Sequence, residues 1–104
     1  MSVKNKFSYL GIAEEKYSGT VHDYVLMTEK HQLLKKETWD KFVEVFTENS
    51  DDSDIGWRCE YWGKMMRGAC ITYRYHGTDE LYGMLEYAVR ELLKAQRADG
   101  RFHS

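Results

Sequence analysis

The 104-residue chain contains no proline. The residue that most abruptly ends a helix is missing, so glycines and side-chain caps must set the helix boundaries. Cysteine is scarce, with Cys59 and Cys70 alone. On one helix they would share a face but stand ~16 Å apart along the axis at 1.5 Å per residue. A disulfide needs Cα atoms within ~7 Å. Two free thiols are expected, and neither belongs to a CxxC or CxxH pair of the kind that nucleates a zinc site. No apolar run approaches the ~18 residues of a membrane helix. No apolar leader follows Met1, so the expected compartment is the cytoplasm, with no membrane partner. Charge of one sign is also lacking. Fifteen Lys and Arg face 17 Asp and Glu, for a net charge of −2. That balance argues against a nucleic-acid partner, including one bound by a helix-turn-helix motif, because no helix carries a clustered basic face. The densest charge is acidic (Glu48, Asp51, Asp52, Asp54) and lies among Asn49, Ser50 and Ser53, which reads as a solvated loop.

What the chain does have is aromatic surface, 8 Tyr and 3 Trp among its residues. Such side chains build cores, interfaces or sugar-facing clefts, and composition does not choose between them. The length suits one domain with a modest core. Apolar periodicity points to an all-α fold. Residues 1–19 read as an extended arm, with partial alternation through Phe7 and Tyr9. A first helix is expected from a Thr20 cap, with Asp23 in its first turn and a stripe of Val21, Tyr24, Val25 and Thr28, running to about Lys35. Trp39, Phe42, Val43 and Phe46 at i, i+3, i+4 and i+7 predict a second helix over 37–48. The strongest pattern is Trp62, Met65, Met66, Ala69, Cys70 and Tyr73, which predicts a third helix over 58–76. Gly63 and Gly68 lie inside it and would let a neighbour approach closely. Gly77 is placed as its C-terminal glycine. Thr78 then caps a fourth helix over 79–98, with Asp79 and Glu80 in its first turn and Leu81, Leu85, Ala88, Val89, Leu92 and Gln96 as its inner stripe, closed by Gly100. The very short junction predicts that the third and fourth helices form an antiparallel hairpin within residues 57–100. Its geometry would bring Trp57, Arg58, Glu60 and Tyr61 to the same rim as Asp99, Gly100, Arg101, Phe102 and His103.

The stretch from 56 to 104, with its opening GWRCEYWGK, its turn YRYHGTDEL and its close LLKAQRADGRF, resembles glycoside hydrolase family 127, the β-L-arabinofuranosidase-like enzymes. Residues 1–55 fit the resemblance only loosely. It implies that the chain is part of an (α/α)6-barrel-like toroid of helical hairpins whose members are retaining exo-glycosidases. It also implies a cysteine nucleophile at a zinc site and a glutamate acid/base, all downstream of the matched region. Neither Cys59 nor Cys70 corresponds to them, so no catalytic residue and no cofactor is assigned within this chain. On this reading the chain is an N-terminal portion of such an enzyme, inactive alone, with carbohydrate as the partner of the complete domain.

Five residues are candidate sugar contacts: Trp57, Glu60, Tyr61, Arg101 and His103. Each also has a plainer reading. Glu60 is a first-turn acid favourable to the helix dipole. Retaining chemistry with two carboxylates needs them ~5–5.5 Å apart, and Asp99 is the acid that would share the rim. Trp57 and Tyr61 can stack on a sugar ring or simply pack, whereas Trp62 opens the inner stripe and reads as core. Arg101 and His103 follow the Asp99-Gly100 turn and read either as cleft residues or as a frayed tail. Lys64 is placed to pair with Glu60 at i, i+4. His22, His31 and His76 are scattered and form no ligand spacing. The alternative to an enzyme segment is a stand-alone helical interaction module. It would self-associate through apolar faces that two hairpins cannot bury.

Overall fold

A computed structural model describes residues 8, 11–47 and 58–102. The described residues contain α-helices and no strand: α1 (Thr20–Thr28), α2 (Lys36–Thr47), α3 (Arg58–Tyr75) and α4 (Asp79–Lys94), with a π-helical turn, Glu29–Leu33, between α1 and α2. The all-α expectation holds at that level. Residues 11–19 form a non-helical strap ahead of α1.

The core is small. Leu33, Trp39, Ala69, Leu81, Leu85 and Ala88 form its buried cluster, and Met65, Met66, Tyr73, Met84 and Tyr87 pack around them. Helix α2 lies against both α3 and α4, and the π turn touches all three. The i, i+3, i+4, i+7 stripe of α2 behaves as its spacing predicts: Trp39 and Phe46 are buried, and Phe42 and Val43 are half-buried. Trp39 is fully enclosed. Its indole Nε1–H donates to the Leu33 carbonyl at 2.8 Å, and its ring meets Trp62 edge to face, with centroids 6.4 Å apart. A Trp this deep must find an acceptor for its N–H, and the end of the π turn supplies one.

The first helix departs from its expected form. Gly19, at φ 68°, is its cap, and Thr20 lies inside it. The helix ends at Thr28, because the Leu34 N–H reaches back five residues to the Glu29 carbonyl instead of four. The π turn changes which side faces inward. No residue of α1 is buried, and Val21 and Tyr24 of the expected stripe are exposed. Leu33, beyond the shift, enters the core.

Further corrections concern α3 and α4. Cys70, read as part of the α3 stripe, is exposed and free, as is Cys59. Gly77 does not adopt the left-handed conformation of a C-terminal glycine. It is needed for space instead: a Cβ there would stand 2.5 Å from Ile12 Cγ2 and 3.2 Å from the Tyr73 carbonyl oxygen. Thr78 does cap α4, its hydroxyl accepting from the Leu81 N–H at 3.2 Å. That helix stops at Lys94, four residues before the expected Ala98. The Ala95 N–H already bonds the Leu92 carbonyl, and the Arg97 N–H turns to the Arg101 carbonyl at 2.8 Å. Gly100 at φ 84° makes that reversal accessible. Val89, placed on the inner stripe of α4, is 40% exposed.

One polar triad ties α2 to α4. The Tyr87 hydroxyl donates to Asp40 Oδ1, Lys36 Nζ donates to Asp40 Oδ2 at 2.9 Å, and the same ammonium sits 4.8 Å from the Tyr87 ring centroid. The Tyr87 hydrogen bond, and then Lys36, hold the Asp40 carboxyl below its usual range, and Asp40 in return pushes the Tyr87 phenol up.

Two predictions follow from this packing. A Cβ at Gly63, Gly68 or Gly83 would meet nothing within 4 Å, so the close approach expected at Gly63 and Gly68 is absent among the described residues. Gly→Ala at each of the three is expected to stabilise by about 0.5–1 kcal/mol, read as an upward shift of the urea midpoint at unchanged slope. For the triad, a depressed carboxyl contributes stability that is present above about pH 4 and lost as pH falls through its folded value. Tyr87→Phe is expected to cost roughly 0.5–1 kcal/mol at pH 7, the partly exposed carboxylate lowering the figure. The variant's stability should also fall less steeply than the parent's between pH 4 and pH 2 in a denaturation series.

Candidate functional site

The rim expected from the hairpin is only partly within the described residues, since Trp57 and His103 lie outside them. Glu60 stands in the first turn of α3 and pairs with Lys64 one turn on, as the spacing predicts. Arg101 turns back on Asp99, its Nε at 3.0 Å and its Nη2 at 2.7 Å from Oδ2. The Arg101 guanidinium, followed by its backbone N–H, holds the Asp99 carboxyl below the usual range. Both charged candidates are thus engaged locally. Tyr61 is exposed and lines a mostly apolar groove of about 340 Å³ with Thr38, Lys41, Phe42 and Val45 of α2. Phe102 also reaches α2, meeting Phe46 edge to face at 6.0 Å. Tyr61 and the segment after α4 therefore both converge on α2, at neighbouring positions.

A second cluster forms at the opposite end of α3. The strap crosses there, pinned by the Ala13 N–H to the Arg74 carbonyl at 2.6 Å and by the Ile12 side chain against Gly77. Ala13 takes φ 58° to do so, a left-handed conformation that costs a non-glycine residue ~1–2 kcal/mol. Between strap and helices lies a cleft of about 270 Å³ lined by Ala13, Glu15, Lys16, Tyr17, His22, Tyr75 and His76. The Tyr75 hydroxyl lies 2.6 Å from His22 Nδ1 and accepts from the Tyr17 N–H at 3.2 Å. The Tyr17 and Tyr75 rings are tilted together at 5.1 Å. The Tyr17 hydroxyl donates to Glu15 Oε2 at 2.7 Å, and that bond pushes the phenol pKa up.

His76 is held from behind. Its Nδ1 lies 2.7 Å from Oε2 of Glu29, a buried acid on the π turn. A carboxylate accepts only, so Nδ1 carries the hydrogen and Nε2 is the nitrogen left over. Carboxylate-oriented imidazoles of this kind serve as proton acceptors or ligand contacts when their outer nitrogen faces a cleft.

Reading the histidines as scattered missed this cluster. His22 and His76 are 54 positions apart in the chain, and no local spacing joins them. One signal was available: Glu29 shares a face with Val25 and Leu33 at i, i+4 and i+8, an acid on a side otherwise turned inward.

Among the described residues no group of three or more His, Cys, Asp and Glu is placed to hold a metal. The two exposed thiols stand ~16 Å apart along α3. The chain matches no protein-family model, and no curated protein or solved structure is significantly similar to it.

The Glu29–His76 pair yields a paired prediction. His76→Ala removes the partner of a buried carboxylate and is expected to cost roughly 2–3 kcal/mol. This is below the value for a fully enclosed pair, because the imidazole is 44% exposed. Glu29→Leu removes the charge itself and fills the space, and should be neutral to about 1 kcal/mol. Chemical denaturation of the two variants checks the order, which reverses if the pair is incidental.

Proposed function

We propose that this chain supplies helical hairpins to an (α/α)6-type domain of the β-L-arabinofuranosidase-like glycoside hydrolase class, and that it contributes framework and rim but no catalytic centre. The observation that carries the reading is an apolar stripe left uncovered on α4. Tyr82, Val89 and Leu93 stand at i, i+7 and i+11 and are 56%, 40% and 53% exposed, and Ile71 on α3 is 60% exposed. A toroid of hairpins packs every hairpin on both flanks, so a unit taken by itself presents such a stripe. The short connection between α3 and α4, and their packing on each other, suit an antiparallel pair. The residue pattern of 56–104 supplies the class. Within that frame Trp57, Glu60, Tyr61, Arg101 and His103 are rim positions, and carbohydrate is the partner of the completed domain.

The same stripe favours a second reading, a stand-alone module that dimerises through α4. Sedimentation at several concentrations separates the two. A discrete dimer of fixed stoichiometry supports the module. Open-ended association that Val89→Asp with Leu93→Asp abolishes supports an incomplete toroid, and a stable monomer counts against both. Activity is tested with p-nitrophenyl β-L-arabinofuranoside, with and without added zinc. The expected result is no turnover above buffer, and zinc-dependent hydrolysis by the purified chain would overturn the assignment of a framework role.

A further inference from the structure

We infer that the cleft between the strap and the ends of α1 and α3 is a binding site for a small uncharged polyhydroxyl compound, of the size of one monosaccharide. The inference is independent of the enzyme class proposed above. The cleft lies ~22 Å along α3 from Glu60, counting from Tyr75, so it is not the rim described there.

Hydrogen bonding within the cleft fixes what its two imidazoles offer. His76 gives its Nδ1–H to Glu29. Tyr75 accepts from the Tyr17 N–H and lies against His22 Nδ1. Assigning the Tyr75 proton to that contact uses each group once and leaves hydrogen on His22 Nε2. With His76 neutral, the two rings then bring unlike groups to one cleft, a donor from His22 and an acceptor from His76. Neither Nε2 has a partner among the described residues. A hydroxyl group is both donor and acceptor, so a compound with several hydroxyls matches both rings. A carboxylate or phosphate could use only the donor, and a simple cation only the acceptor.

Charge points the same way. Glu15 and the buried Glu29 outnumber Lys16, a balance that disfavours an anion. The walls supply the rest. Tyr17 is half exposed and tilts against Tyr75 at 33°, and His22 stands edge-on to Tyr75 at 6.0 Å. Aromatic faces beside a few convergent polar groups suit a ring that is apolar on its C–H face and polar at its edge. A volume of about 270 Å³ admits one such ring. The strap that forms one wall is held in a strained conformation at Ala13, and strain of that kind persists where surrounding contacts over-determine it.

The experiment follows the imidazole Hε1 signals of the intact chain by NMR during titration with L-arabinose and with D-glucose. Sodium acetate and sodium phosphate serve as charged comparisons. Saturable shifts of the His22 and His76 signals at millimolar sugar, with no saturable response to the anions, are the expected result. Tyr17→Ala should weaken the sugar affinity by about tenfold. Its ring is outside the core, so an unchanged amide spectrum elsewhere shows that the fold survives. Glu29→Gln is the second variant, in which the orienting contact is weakened and the His76 response should shrink while that of His22 remains. The inference is overturned if neither sugar gives a saturable shift, if acetate or phosphate saturates the same signals at lower concentration, or if Tyr17→Ala binds as the parent does.

Discussion

The enclosed indole of Trp39 sets a condition that the other helices meet. Its N–H has left water and must be accepted by something in the interior, at a cost of about 1–3 kcal/mol if nothing does. The Leu33 carbonyl accepts it, and that carbonyl belongs to the last residue of the π turn. The one-residue slip in hydrogen-bond register therefore joins two consequences. It ends α1 and positions the acceptor for α2. It also belongs to the turn that places Glu29 behind His76, so a packing requirement in the core and the orientation of a cleft imidazole share one backbone irregularity. Inserted residues in helices are often found beside functional groups for this reason, because they re-aim a side chain that a regular helix would point elsewhere.

Around that centre the molecule is built from small contributions. The buried cluster contains two alanines, Ala69 and Ala88, where helices meet closely. Polar contacts take up what apolar area does not: the Lys36–Asp40–Tyr87 triad links α2 to α4, and the strap is fastened to α3 through backbone and hydroxyl groups. Much aromatic surface stays outside the core, Tyr17, Tyr24, Tyr61 and Tyr82 among it.

Where periodicity was strong the elements were legible in the sequence. The helices around Trp39 and Met65 fall within a residue or so of the expected bounds, and Thr78 caps α4 as its position suggests. The misses differ in cause. Ala95 to Ala98 would continue the helix on propensity alone, and the Asp99–Gly100 turn draws the backbone off. Gly77 looked like a stop signal and is instead a gap that admits Ile12. Gly63 and Gly68 looked like contact points and face open space. The rim followed from which helix ends should meet, but Glu60 pairs with Lys64 of its own helix and Arg101 with Asp99. The cleft was not legible because its histidines belong to distant segments, α1 and the end of α3, that meet only in the folded chain.

The strap's attachments have an energetic character different from that of the core. The bond from the Tyr17 N–H to Tyr75 closes a chain separation of 58 residues, whereas α3 and α4 are joined through a three-residue connection. Closing a long loop loses more chain entropy than closing a short one, though the cost rises only slowly with length. Few buried apolar contacts offset that loss, since Ile12 and Tyr17 are about half exposed. Among the described residues the strap is thus a low-stability segment, able to detach while Trp39 and its neighbours stay packed. Access to the cleft is then governed by a local opening equilibrium, and whatever occupies it would tether the two ends of that loop as a reversible cross-link.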